Sequence, residues 1–247
     1  ASAVAGLAAG PGERTIVTGF VAVATSYPGF ATDLASLVGG DPAAAPGALV
    51  VAVDGPAGAG KSTVSRAIAL RLGVDRLDTG AMYRAVAAAA LQRGISPDDA
   101  EAVAALAEAA DIEVADSVTI DGSDVTDVIR SAEVGRAVSI VAANPAVRTQ
   151  LVRRQRAWAD GHGGGVVEGR DIGSVVFPEA TLKVYLDAAP EERARRRHDE
   201  SAAGVARRDR IDSTRAASPL VVAPDAHHID TTVQTVQDVV EEVMSWL

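Results

Sequence analysis

The 247-residue sequence has no cysteine and only two lysines, Lys61 and Lys183. The missing cysteine excludes disulfides, thiolate catalysis and any zinc site built on sulfur. Aromatic residues make up 3% of the chain against 48% for hydrophobic residues as a whole, so small side chains, alanine and valine above all, must fill the core. No apolar run approaches the ~20 residues of a membrane-spanning helix. The longest candidate, "TIVTGFVAVAT" from Thr15 to Thr25, is too short, and no basic region precedes it as a signal peptide requires. The chain therefore reads as soluble and cytoplasmic. Positive charge is also scarce overall, with a net charge of −10 at pH 7, which argues against a nucleic-acid partner, because sequence-neutral binding needs a basic footprint. The arginines concentrate between Arg148 and Arg215. A basic site within an acidic protein suits a small anionic ligand.

What is present divides the chain in two. Residues 1–48 are rich in Ala, Gly and Pro and end in "GGDPAAAPGA", a linker-like stretch without a chemical motif. They read as an N-terminal extension, or alternatively as a docking element built on "IVTGFVAVA". From residue 49 to 247, strand and helix patterns alternate. "ALVVAV" (Ala48–Val53), "GGGVVEG" (Gly163–Gly169), "TLKVYLDA" (Thr181–Ala188) and "AHHIDTT" (Ala226–Thr232) read as short buried strands. A helix is expected from Lys61 to Leu72, with Val64, Ile68 and Leu72 on one face and Gly73 as its stop. Others are expected over Met82–Gly94, from Ser96 as N-cap, from Pro145 to about Trp158, from Pro190, and over "VQDVVEEVMSWL". Ile112–Asp127 reads as a small β insert. This alternation implies an α/β fold, a parallel sheet with helices on both faces.

The stretch Gly55-Pro56-Ala57-Gly58-Ala59-Gly60-Lys61-Ser62 fits G-x-x-x-x-G-K-[ST], the P-loop. Its glycines let the backbone wrap closely enough to aim N–H groups at phosphate oxygens. The helix opening at Lys61 adds the positive end of its dipole. Lys61 supplies a point charge for the β- and γ-phosphates, and the Ser62 hydroxyl is a ligand for Mg²⁺. The motif follows an apolar strand and opens an amphipathic helix, which is its proper context. It fixes a triphosphate site, with ATP and Mg²⁺ as the expected cofactors, but not its use. With two lysines there is no guanine-reading Asn/Thr-Lys-x-Asp, and no "LSGGQ"-like transporter signature is present. A kinase of a small molecule remains. A phosphorylated acceptor beside ATP needs several cations, and arginine suits that task through its bidentate fork. Any one of Arg153, Arg154 and Arg156 can equally line a solvated helix face.

"VDGPAGAGKST", "LDTGAMYR", "RAVSIVAANPAVR", "VVEGRDIGSVVFPEA", "RRDRIDSTRAASPL" and "HHIDTT" occur in this order. With them the chain from about Leu49 onward resembles the bacterial cytidylate kinase (CMP kinase) family of the nucleoside monophosphate kinase group. The resemblance implies a P-loop NTPase-type core, a CMP-binding region over about 79–156 and a lid over about 190–210. It also implies transfer of the γ-phosphoryl group of ATP to CMP, and to dCMP as well, with UMP a poor substrate; a monomer is expected. The alternatives are a P-loop kinase of another small anion and a non-catalytic nucleotide-binding module.

Site roles carry over by motif. Ser139, Arg148 and Asp171 would read the cytosine, with Asp171 and Ser139 accepting from its amino group and Arg148 donating to its acceptors. Ser139 by itself also fits a helix-surface serine. Arg84, Arg170 and Arg208 would clamp the acceptor phosphate, with Arg215 near the transferred group. Thr79 and Tyr83 would line the acceptor pocket, and Asp212 would accept from the ribose. Lys61, Arg84, Arg170 and Arg215 would be the catalytic set. The ATP site would comprise residues 55–63, that is Gly55 through Ser62 with Thr63, together with Arg197. Arg193, Arg195 and Arg196 open the same lid helix as Arg197, and some of these arginines should meet ATP. Asp54 reads either as a carboxylate for a magnesium-bound water or as a strand-end acid. The lid departs from the pattern: "HDESAAGVA" between Arg197 and Arg207 is about a dozen residues shorter than the resemblance implies. A shortened lid would exclude water less well and raise CMP-free hydrolysis of ATP.

Overall fold

The computed structural model describes residues 48–196, 204, 209–210 and 220–247. The expected N-terminal extension up to residue 47 lies outside the described residues, as do Arg197, Arg208, Asp212, Arg215 and most of the expected lid.

The elements run β1 (Leu49–Asp54), α1 (Lys61–Leu72), β2 (Arg76–Asp78), α2 (Thr79–Gln92), α3 (Ala100–Ala109), β3 (Ile112–Val114), β4 (Val118–Ile120) and β5 (Ser123–Asp124). A 3₁₀ turn (Val128–Arg130) leads to α4 (Ala132–Ala143), α5 (Pro145–His162), β6 (Gly164–Glu168), a π-helical turn (Ile172–Val176), β7 (Leu182–Asp187), α6 (Pro190–Arg196), β8 (His227–Asp230) and α7 (Val236–Met244). Strands β2-β6-β1-β7-β8 form one sheet in that order, all parallel. The expected β insert is a separate antiparallel sheet, β3-β4-β5.

β1 shows why both faces must be covered. Val50 and Ala52 point into a core shared with α2, α3, α4 and α5, while Val51 and Val53 point into a second core with α1 and α7. This is the continuous burial expected of a central parallel strand. The run of alanines in α2, Ala85 and Ala87–Ala90, is buried throughout. Small side chains let that helix pack closely inside the larger core.

Helix starts explain where the local reading shifts. Asp99, not Ser96, is the N-cap of α3; its carboxylate accepts from the N–H of Ala102. Ser96 instead caps a preceding turn, its hydroxyl accepting from the Asp98 N–H. Likewise α2 begins at Thr79 because Asp78 accepts from the N–H of Ala81, and α5 runs on to His162 before Gly163 stops it at φ 68°. Side chains also cap α4, α5 and α7, through Ser131, Asn144 and Thr235. In contrast, α1 starts from Gly60 at φ 88° with no side-chain cap. Its positive end is left for an anion.

The sheet register aligns the strand ends. Asp78 pairs with Glu168, and Glu168 with Val53, so β2, β6 and β1 finish level. Thr79, Gly169-Arg170-Asp171 and the phosphate loop therefore leave the sheet side by side. That edge, at the carboxyl ends of the strands, is where parallel α/β sheets bind ligands.

Candidate active site

A cavity of about 560 Å³ opens at this edge. It is lined by Ala57, Gly58, Gly60, Lys61, Ser62 and Thr63 from the phosphate loop and by Thr79, Tyr83, Arg84, Ser139, Arg148, Arg170 and Asp171 from the acceptor side. Among the described residues, those expected at the nucleotide loop and those expected at the acceptor thus line one crevice. Gly55, Pro56 and Ala59 shape the loop without lining the cavity.

The loop is held closely from outside. A Cβ on Gly55 would lie 2.0 Å from the carbonyl oxygen of Leu186, at φ 144°, and one on Gly58 would lie 2.6 Å from that of Arg193, at φ 80°. Arg193 donates to the carbonyls of Ala57 (3.3 Å) and Ala188 (3.0 Å) and pairs with Asp209. Thr231, at the end of β8, donates its hydroxyl toward the carbonyls of Ala59 (3.1 Å) and Asp187 (3.0 Å) and accepts from Arg196 Nη1 (2.9 Å). Arg195 and Arg196 line the cavity, whereas Arg193 braces the loop. Lys61 Nζ donates to the Pro56 carbonyl at 2.7 Å.

On the acceptor side, Asp78 does two jobs. It caps α2 and pairs with Arg84 at 3.1 Å. Glu168 accepts from Arg76 Nη1 at 2.8 Å and from the Ser65 hydroxyl at 3.1 Å, and its backbone carbonyl accepts from Thr79 at 2.7 Å. Burial, followed by the nearby charge of Asp78, pushes the Glu168 carboxyl above its ordinary range. Asp78 and Glu168, both in the cavity wall, were not singled out from sequence, although each sits inside a quoted motif.

Deeper in the cavity, Arg148 and Asp171 form an ion pair with both side chains buried. The Arg148 guanidinium lies 5.6 Å from the Tyr83 ring centroid, within cation–π range. Its Nε is buried with no hydrogen-bond partner among the described residues. Ser139 is 8% exposed and lines the same wall, so it is not a helix-surface serine. A buried donor beside a buried acceptor pair, opening onto a cavity, is suited to a flat polar ring that completes the missing hydrogen bonds.

The other arginines of α5 have structural roles. Arg154 donates to the carbonyls of Ala107 and Glu108 at the end of α3, and Arg156 to those of Val175 and Val176 in the π-helical turn. Arg153 donates to Gln150 at the surface. Asp54 ends β1, and its two carboxylate oxygens accept from the N–H groups of Ile172 (2.8 Å) and Gly173 (2.7 Å). Burial outweighs those bonds and pushes its pKa up to about 6.

A P-loop with an uncapped helix behind it, facing arginines across one crevice, defines a P-loop kinase of small molecules. The family model for cytidylate kinase matches residues 51–247, and the chain belongs to that family. It is 49% identical over 211 residues to the cytidylate kinase of Geobacillus kaustophilus, covering 78% of this chain and 94% of that protein. It is 48% identical over 209 residues to the cytidylate kinase of Mycobacterium leprae, with 79% and 94% covered. The 211 aligned positions span only 78% of a 247-residue chain, so the relative carries residues within that stretch that this chain lacks. Among the described residues no helix is long and apolar enough to cross a membrane.

Proposed function

We propose that the protein transfers the γ-phosphoryl group of ATP to CMP, giving ADP and CDP, and accepts dCMP in the same way. The observation that carries this reading is the buried Arg148–Asp171 pair, with Ser139 beside it, opening into the cavity that also holds Lys61 and Ser62. Cytosine presents an amino donor next to ring acceptors, and this wall offers carboxylate and hydroxyl acceptors next to a guanidinium donor. Uracil presents the opposite pattern at two of these positions. It would leave buried groups unpaired, at about 1–3 kcal/mol for each.

An oxygen of the CMP phosphate attacks the γ-phosphorus, and the bond from that phosphorus to the β–γ bridging oxygen breaks, releasing ADP. The attacking oxygen is already ionised, so no strong base is needed. The chain's task is alignment and charge neutralisation. Lys61 and the open end of α1 hold the triphosphate. Arg84 and Arg170 take the acceptor phosphate, with Arg84 exchanging its Asp78 partner for it. Arg197, Arg208, Asp212 and Arg215 belong to this reading on their motifs alone.

Among the described residues no acidic, histidine or cysteine cluster could hold a metal by itself. The oxygen donors at hand, the Ser62 hydroxyl with Glu168 close by, fit Mg²⁺ that arrives with the nucleotide and keeps several waters. When bound, Mg²⁺ neutralises charge on the β- and γ-phosphates. The reading also makes the protein a cytoplasmic monomer acting on small molecules and not on nucleic acid.

The test is ADP release measured with CMP, dCMP, UMP, AMP and shikimate as acceptors. Preference for CMP and dCMP is expected. A preference for AMP or shikimate would overturn the reading, and release that ignores every acceptor would favour a binding module.

A further inference from the structure

Asp171 is the N-cap residue of the π-helical turn Ile172–Val176, yet its side chain does not cap that turn. An aspartate in this position ordinarily folds its carboxylate back onto the N–H groups of its own first turn. Here the first two of those N–H groups, of Ile172 and Gly173, are taken by Asp54 at 2.8 and 2.7 Å. The carboxylate of Asp171 is thereby left to pair with Arg148 in the cavity wall.

Asp54 reaches this turn from a different strand. It is the last residue of β1, immediately before Gly55 and the phosphate loop. It is 6% exposed and does not line the cavity, so it faces the turn and not the place where nucleotide and cation would lie. The turn has little room to shift. Gly173 is pressed against the stem of Lys183, to which a Cβ would come within 3.1 Å, and Arg156 holds the carbonyls at its far end.

We propose that Asp54 is a positioning residue for base selection: by capping the turn in place of Asp171, it frees Asp171 to hold Arg148 and face the base. This inference rests on the reading that Arg148 and Asp171 recognise cytosine. Without the Asp54 carboxylate, the Ile172 and Gly173 N–H groups are buried without an acceptor. Asp171, the residue that precedes Ile172 and the N-cap of the turn, is placed to supply one, and turning to do so takes it from Arg148.

The test is Asp54→Asn, which keeps the size of the side chain but replaces one acceptor oxygen by an NH₂ that faces a backbone N–H. Steady-state constants are measured for ATP, CMP and UMP, with Asp171→Ala alongside. The expected result is a rise in KM for CMP and a fall in the CMP-over-UMP ratio of kcat/KM, each at least about tenfold, with KM for ATP changed less than about twofold. A preserved ratio overturns the proposal. So does a loss confined to kcat and accompanied by a higher Mg²⁺ requirement, which would assign Asp54 to the cation. If Asp171→Ala itself leaves the ratio unchanged, the base-reading assignment fails. If Asp171→Ala abolishes the ratio and Asp54→Asn does not, only the positioning role fails.

Should Asp54→Asn not fold, the unaltered enzyme is assayed between pH 7.5 and 5.5. The charged groups facing Asp54 are Asp171 in the turn and Lys61 at the start of α1, and the Tyr185 hydroxyl on β7 also faces it. Proton uptake by Asp54 should lower the CMP-over-UMP ratio, whereas ionisation of the substrate phosphate affects both nucleotides alike. A ratio flat across that range overturns the proposal.

Discussion

Replacing Arg148 by methionine isolates the energetics of the buried Arg148–Asp171 pair. Its side chain is 5% exposed and that of its partner Asp171 is 7% exposed. Methionine fills much of the same space but leaves the Asp171 carboxylate buried without its cation. Breaking a buried pair from one side costs about 3–5 kcal/mol, because the remaining charge is uncompensated. For a domain of this size that corresponds to a fall in Tm of roughly 6–20 °C. The double variant Arg148→Met/Asp171→Leu removes both charges and should recover to within about 2 kcal/mol of the parent, while remaining unable to tell CMP from UMP. Thermal and urea unfolding of the parent, Arg148→Met and the double variant, with kinetics on both nucleotides, provide the measurement. A double variant no more stable than Arg148→Met would refute the buried-pair reasoning, and one that still prefers CMP would refute the recognition role.

Further outcomes follow from the same geometry. Lys61→Ala should lower kcat by about 10²–10³-fold, the scale of one lost charge stabiliser of the transition state, with a small change in Tm; near-normal turnover would remove Lys61 from the catalytic set. Gly58→Ala forces a side chain into φ 80° and to 2.6 Å from the Arg193 carbonyl, and should cost about 1–3 kcal/mol together with weakened ATP binding. Unchanged ATP affinity would show that the loop can move away. Asp54, pushed up to about 6, binds a proton in the folded state between pH 4 and 6 that the unfolded chain releases. It contributes stability below the unfolded pKa that is lost as pH rises through 6, on the order of 3 kcal/mol. Relative to Asp54→Asn, the parent should therefore gain stability on going from pH 7 to pH 5, as read by urea unfolding. Finally, the short lid sequence predicts measurable ADP release without CMP; a negligible rate would mean that water is excluded without the extra residues.

The phosphate loop was legible because every part of it is local. Gly55, Gly58, Gly60, Lys61 and Ser62 need only the strand before them and the helix after them, and the sequence contains both. The alternation of strands and helices settled the parallel sheet for a similar reason, since buried parallel strands are apolar on both faces and Gly73 and Gly163 mark helix stops. Boundaries were less legible where two polar residues compete for one cap, as Ser96 and Asp99 do. The acceptor side was a different case. Ser139, Arg148, Arg154 and Arg156 have the spacing of ordinary helix residues, and only the resemblance separated the first two from the others. Packing decides that Arg148 is buried, that Arg154 caps α3 and that Arg156 holds the π-helical turn.

Chemical identity near the nucleotide, then, is written in the order of residues along the chain, because short-range backbone geometry creates it. Which acid pairs with which arginine is not. Asp54, Asp78, Glu168 and Asp171 are all carboxylates beside glycines or loops in sequence, and their separate tasks arise only when the level ends of β2, β6 and β1 bring them to one edge. At that edge hydrogen bonds across more than a hundred residues, such as those from Ile172 and Gly173 to Asp54, stand beside the pairing of Asp171 with Arg148 in the cavity wall.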